Sequence, residues 1–122
     1  MSLGLYLHIP YCFSKCRYCD FYSHPGERGV PDAYVDAVLR ELDRFSPDGP
    51  LHPDTVYFGG GTPSLLTPEQ VRRLIKAAAP VPGAEVTLEA NPETVTEDSL
   101  RGFREAGVNR ISFGVQSARD TQ

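Results

Sequence analysis

Apolar and polar positions along the chain change their spacing several times, and each change marks an element. The run Leu3 to Ile9 predicts a buried strand, stopped by Pro10. Tyr34, Val35, Val38, Leu39, Leu42 and Phe45 recur at helical spacing and predict a helix over 32–45 with one apolar stripe. Pro31 suits its first position, and Asp36 with Arg40 forms a supportive pair one turn apart. Thr55 to Phe58 predicts a second strand that runs into Gly59-Gly60-Gly61-Thr62-Pro63. Thr67-Pro68-Glu69-Gln70 opens a second helix as a capping box, with Leu66 and Val71 as a hydrophobic staple and Pro80 and Pro82 beyond its end. Glu85 to Glu89 predicts a third strand, broken by Asn91-Pro92. Thr96 caps a third helix, stapled by Val95 and Leu100, with Gly107 just past its end. Arg110 to Val115 predicts a fourth strand.

Strands alternating with helices in this order indicate βαβ units and an α/β fold on a parallel sheet. The interval from Tyr11 to Gly29 carries turn formers and reads as one long loop, a length that in compact domains usually serves function. A parallel sheet needs both faces covered, and the fourth strand is followed by only a few residues. We therefore expect residues 1–122 to be the N-terminal part of a longer domain.

Length and charge narrow the class. The 122 residues suffice for one domain with a modest core. Lys plus Arg is 12 and Asp plus Glu is 16, so the formal net charge is −4. A mildly acidic chain without a basic run argues against sequence-independent nucleic-acid binding. No apolar stretch is long enough to cross a bilayer, and Met1 to Leu5 has no basic leader character, so a cytoplasmic protein without a transmembrane segment is expected.

The candidate chemistry is concentrated in the long loop. The chain has three cysteines, Cys12, Cys16 and Cys19, all within eight residues. An odd, clustered set does not make a disulfide framework and points to a metal or redox site in a reducing compartment. A structural zinc site needs four ligands, so His8 or His24 would have to complete it. Ferredoxin-type cubane clusters take four cysteines, and three leave one iron open, a catalytic arrangement. Buried free thiols without a ligand are the third reading. The spacing favours the iron–sulfur cluster. The glycine-rich run 59–63 follows a strand, where parallel α/β folds bind ligands, and no lysine follows to make it a nucleoside triphosphate loop.

Cys-x3-Cys-x2-Cys with Tyr18 before the third cysteine resembles the signature of radical S-adenosylmethionine (SAM) proteins. That resemblance implies a partial (β/α)6 barrel, of which this chain holds the first three β/α units plus a fourth strand. It also implies a 4Fe-4S cluster on Cys12, Cys16 and Cys19, with SAM chelating the open iron. The segments 6–12, 15–21, 59–63, 89–94 and 107–117 together resemble the family of oxygen-independent coproporphyrinogen III oxidases and HemW haem chaperones. The oxidases resemble a pattern with a fourth cysteine two residues after the third. Phe21 stands there in this chain, and Cys19-Asp20-Phe21 followed by Ser23-His24 resembles the chaperone branch.

The resemblance assigns further residues one by one. Tyr6, Gly60, Glu89 and Gln116 match contacts to the cluster-bound SAM, and Tyr18 matches an aromatic beside the cluster. Gly61 and Thr62 match contacts of a second SAM site. Without the resemblance Tyr6 would read as a core strand residue and Glu89 as a solvated charge at a strand end. His8 reads as a core or near-cluster histidine, His24 and His52 as loop residues, Asn91 as a turn former, and Arg110 as a partner for some acid. For the branch, the resemblance implies haem as ligand, a haem-acceptor protein as partner and reduced ferredoxin or flavodoxin as electron donor. The alternatives are a coproporphyrinogen III oxidase and a structural zinc domain.

Overall fold

The structure, a computed structural model, describes residues 3–11 and 29–113. Four strands, β1 (Gly4–Ile9), β2 (Thr55–Gly60), β3 (Glu85–Ala90) and β4 (Arg110–Phe113), form one sheet in the order β1-β2-β3-β4. Every neighbouring pair is parallel. The crossovers are helical: α1 (Asp32–Phe45), α2 (Pro68–Ala78) and α3 (Glu97–Ala106). Strands that follow one another without reversal make the wall of a barrel; a doubly wound sheet would reverse order at a switch point. The α/β fold expected from the alternation is the observed one.

Side chains of a strand alternate between faces, and here the two faces differ sharply. Leu7, Ile9, Val56, Phe58, Val86 and Leu88 join Val35, Leu42, Leu74 and Phe103 of the helices in one buried core. The opposite face carries Tyr6, His8, Tyr57, Thr87, Glu89, Arg110 and Ser112, mostly exposed or half-exposed. All three helices therefore cover the same side.

The local signals hold in detail. Thr67 accepts a hydrogen bond from the Gln70 N–H at 3.0 Å, and the Gln70 side chain accepts one from the Thr67 N–H at 2.9 Å. Thr96 and Ser99 make the same reciprocal box on α3, with Ser99 in the place usually held by Glu or Gln. Gly107 follows α3 at φ 125°. Two expectations are corrected. Pro31 is the N-cap of α1, extended at ψ 144°, and the helix begins after it. Asp36 pairs with Arg73 of α2 at 2.7 Å and not with Arg40, because α1 and α2 pack side by side and bring the guanidinium within reach. Two short 3₁₀ turns, Pro63–Leu65 and Pro92–Thr94, follow β2 and β3 and were not anticipated.

Candidate functional site at the C-terminal edge of the sheet

In a parallel barrel wall every strand ends at the same edge, so the loops there converge on one ligand face. Gly60 ends β2 at φ 114°, a left-handed conformation that favours glycine. A Cβ on it would lie 2.8 Å from the Ile9 carbonyl oxygen and 2.9 Å from the His8 ring. The β1–β2 pairing then continues beyond the strands. The Gly61 N–H donates to the Ile9 carbonyl at 2.8 Å, and the Thr62 N–H donates to the Tyr11 carbonyl at 2.6 Å. The glycine-rich loop is thus bonded to the residue immediately before Cys12.

Other contacts brace the same corner. The Tyr34 hydroxyl of α1 donates to the His8 carbonyl at 2.7 Å, and its ring meets Tyr11 edge-on at 5.4 Å. Burial raises the pKa of Tyr34, so it stays a protonated donor. The returning end of the long loop comes back to the same place. A Cβ on Gly29 would lie 3.4 Å from the Leu65 carbonyl oxygen. Next to it, the buried Gln70 amide donates to the Val30 carbonyl and to the Asp32 carboxylate, both at 2.8 Å. Tyr11 on one side of residues 12–28, and Gly29 and Val30 on the other, therefore stand beside residues 62–70.

Glu89 lies at the end of β3 on the open face. The Tyr57 hydroxyl donates to its Oε2 at 2.7 Å. This hydrogen bond, followed by burial, raises the pKa of Tyr57, while a hydrogen bond from Ser112 acts in the opposite sense. Tyr57 stacks on Tyr6 at 5.9 Å and 14°. Tyr6 is 56% exposed, so it is not a core residue. Its hydroxyl lies 2.7 Å from where a Cβ of Gly59 would stand, and only glycine leaves that ring its place. His8 is exposed as well, so the core reading of that histidine fails because its position falls on the open face.

The two 3₁₀ turns are stitched together. Ser64 bonds Thr94 through their hydroxyls at 2.5 Å, and its Oγ accepts from the Asn91 N–H at 3.1 Å. Asn91 caps its own turn by accepting from the Glu93 N–H, as a turn former should. The glycine-rich loop and the segment after Glu89 are thereby held to each other. Sequence reasoning missed Tyr57, Ser64 and Thr94, because each acts through a partner about 30 residues away. Arg110 finds its acid in Glu85 of the neighbouring strand. His52 is a loop residue bonded to the Ala79 carbonyl at 2.9 Å.

The structure places Gly60 at the end of β2, Gly61 and Thr62 just beyond it and Glu89 next to the end of β3, while Tyr6 lies mid-strand in β1, opposite Tyr57. Cys12, Cys16, Cys19, Tyr18, Phe21, His24 and Gln116 lie outside the described residues.

Four sequential parallel strands, with the glycine-rich loop bonded to the residue before Cys12, make the wall of an α/β barrel-type fold. The profile of the radical SAM superfamily matches residues 6–121, and the chain belongs to that superfamily. It is 46% identical over 121 residues to a protein named heme chaperone HemW from Escherichia coli, covering 94% of this chain and 32% of that protein. It is 44% identical over 127 residues to the mitochondrial radical S-adenosyl methionine domain-containing protein 1 of Bos taurus, covering 98% of this chain and 28% of that one. The solved coproporphyrinogen III oxidase HemN of Escherichia coli, described as a radical SAM enzyme, superposes with a TM-score of 0.74 at 32% identity over 93% of this chain and 28% of that chain. The chain spans about a third of the length of the curated relatives it matches. Among the described residues no helix is long and apolar enough to cross a membrane.

Proposed function

We propose that residues 1–122 are the N-terminal part of a radical SAM core domain in a cytoplasmic haem chaperone. Cys12, Cys16 and Cys19 hold a 4Fe-4S cluster. Tyr6, Gly60, Glu89 and Gln116 receive SAM, with Tyr18 beside the cluster and Gly61 and Thr62 at a second ligand position. The observation that carries this reading is the bonding of Gly61 and Thr62 to Ile9 and Tyr11, which roots the glycine-rich loop against the start of the cysteine loop. The donor set also fits: three soft thiolates from one loop suit iron–sulfur ligation. The Glu89 carboxylate near the end of β3 suits a ligand that carries positive charge.

When bound, the cluster supplies an open iron for SAM and an electron for its reductive cleavage. The chain's own residues hold the ligand in place. Glycine backbone admits close approach, Glu89 offers an anionic acceptor, and Tyr6 offers an aromatic wall. Haem is the cargo, an acceptor protein receives it, and reduced ferredoxin or flavodoxin supplies electrons. The relatives' names support haem, as does Phe21 where the oxidases resemble a cysteine. The superposition on an oxidase supports the second reading, decarboxylation of coproporphyrinogen III.

Anaerobic reconstitution of the full-length protein should yield about four iron and four sulfide per chain, and Cys16→Ala should remove them. Stoichiometric zinc without iron would overturn the cluster. Haem titration should shift the Soret band, and incubation with SAM, reductant and coproporphyrinogen III should form no protoporphyrinogen. Turnover without haem binding would move the protein to the oxidase reading.

A further inference from the structure

On the open face of the sheet, side chains of neighbouring strands meet one another. Ser112 of β4 stands opposite Glu89 of β3 in the register. The Tyr57 phenol of β2 donates to Glu89 Oε2 at 2.7 Å. The ring of the same tyrosine stacks on Tyr6. One side chain therefore touches both Tyr6 of β1 and Glu89 of β3.

We propose that Tyr57 is a positioning residue for the ligand site: its hydroxyl occupies Oε2 of Glu89, leaving Oε1 for a cationic ligand, and its ring holds Tyr6 upright over Gly59. SAM carries an ammonium and a sulfonium, and a carboxylate complements either. A carboxylate that is not held turns freely about its last two bonds. A ligand must then freeze it on binding, whereas a carboxylate already fixed by a phenol removes that entropic cost beforehand. Hydrogen bonds to carboxylates are among the stronger ones, so a single phenol is enough to fix the group. The inference rests on the proposed assignment of Glu89 to SAM.

The test uses the full-length, anaerobically reconstituted protein with SAM as the probe. Tyr57→Phe keeps the ring and removes only the hydroxyl. It should weaken SAM binding about tenfold in equilibrium dialysis. Iron content and the electron paramagnetic resonance spectrum of the reduced cluster without SAM should match the parent. The SAM-induced change in that spectrum should appear unaltered in shape at about tenfold higher SAM. Tyr57→Leu, which also removes the stack on Tyr6, should weaken binding further. Adding Tyr57→Phe to Glu89→Ala should cost nothing more, because the hydroxyl acts through the carboxylate. Parental affinity in Tyr57→Phe together with weakened binding in Glu89→Ala would overturn the positioning role and leave the Glu89 assignment standing. Parental affinity in Glu89→Ala would overturn both. Multiplied losses in the double variant would show that Tyr57 acts apart from Glu89, and would also overturn the inference.

Discussion

The two faces of the sheet are built from neighbouring residues of the same strands, yet they do different work. Phe58 is fully buried under the helices, while Tyr57 beside it reaches Glu89 on the open side. Leu7 lies in the core, and Tyr6 before it is exposed. On the covered face the residues are interchangeable in kind, because burial asks only for apolar volume and shape. On the open face they are individual: a phenol, a carboxylate, an imidazole and a serine hydroxyl, each with a particular neighbour. Stability and the proposed ligand chemistry are thus separated by a single residue step along each strand, and a substitution can address one with little effect on the other.

The sharpest contrast sets Phe58→Ala against Tyr6→Ala. Removing the buried ring should cost about 4 kcal/mol in urea unfolding of the full-length protein, since it leaves a cavity. Removing the exposed ring should cost about 1 kcal/mol, the loss of one stacked pair, while reducing SAM affinity. Equal costs would break the two-face description.

At the edge where the faces meet, Gly60→Ala should destabilise by about 2 kcal/mol. The strain is intrinsic, from the left-handed φ and the approach to the Ile9 carbonyl, so it should appear in ligand-free protein. A neutral substitution would show that the edge relaxes without the glycine.

Gln70→Ala tests the link from the covered side to the foot of the cysteine loop. It removes two donated bonds and half of a capping box, at about 1.5 kcal/mol. Amide exchange should quicken at the start of α1, and unchanged exchange there would detach the loop foot from α2.

The helix surface should give the weakest contrast. Arg72 donates to Glu69 at 2.6 Å, and this hydrogen bond lowers the Glu69 pKa. A carboxylate whose pKa is lower folded than unfolded adds stability above its unfolded pKa. That increment fades as the pH falls through the lowered folded value. The pair is solvent-exposed, so salt should suppress it. Carboxyl chemical shifts recorded against pH at low and high salt follow Glu69 directly, and a pKa insensitive to Arg72→Ala would remove the pair.

Much of this organisation could be read along the chain, because the interactions behind it are short-range. The box at Thr67–Gln70 and the cap at Thr96 close within three residues, and the stripe on α1 repeats within one turn. Strand–helix alternation specified a parallel α/β sheet, and the family resemblance pointed to Tyr6, Gly60 to Thr62 and Glu89 as candidates. Tertiary structure alone decided which of these meet. In a parallel sheet, neighbouring strands are separated by a whole helix, so Tyr57 and Glu89 are bonded across 32 residues and Ser64 and Thr94 across 30. Asp36 had a suitable partner one turn away and took Arg73 instead, through helix packing that no local pattern encodes. Tyr6 and His8 could have belonged to either face until the register put them opposite Tyr57 and Gly59, on the side the helices leave open. Local propensity and periodicity act over one turn or one strand; the ligand edge is made by chain segments that only the folded sheet brings together.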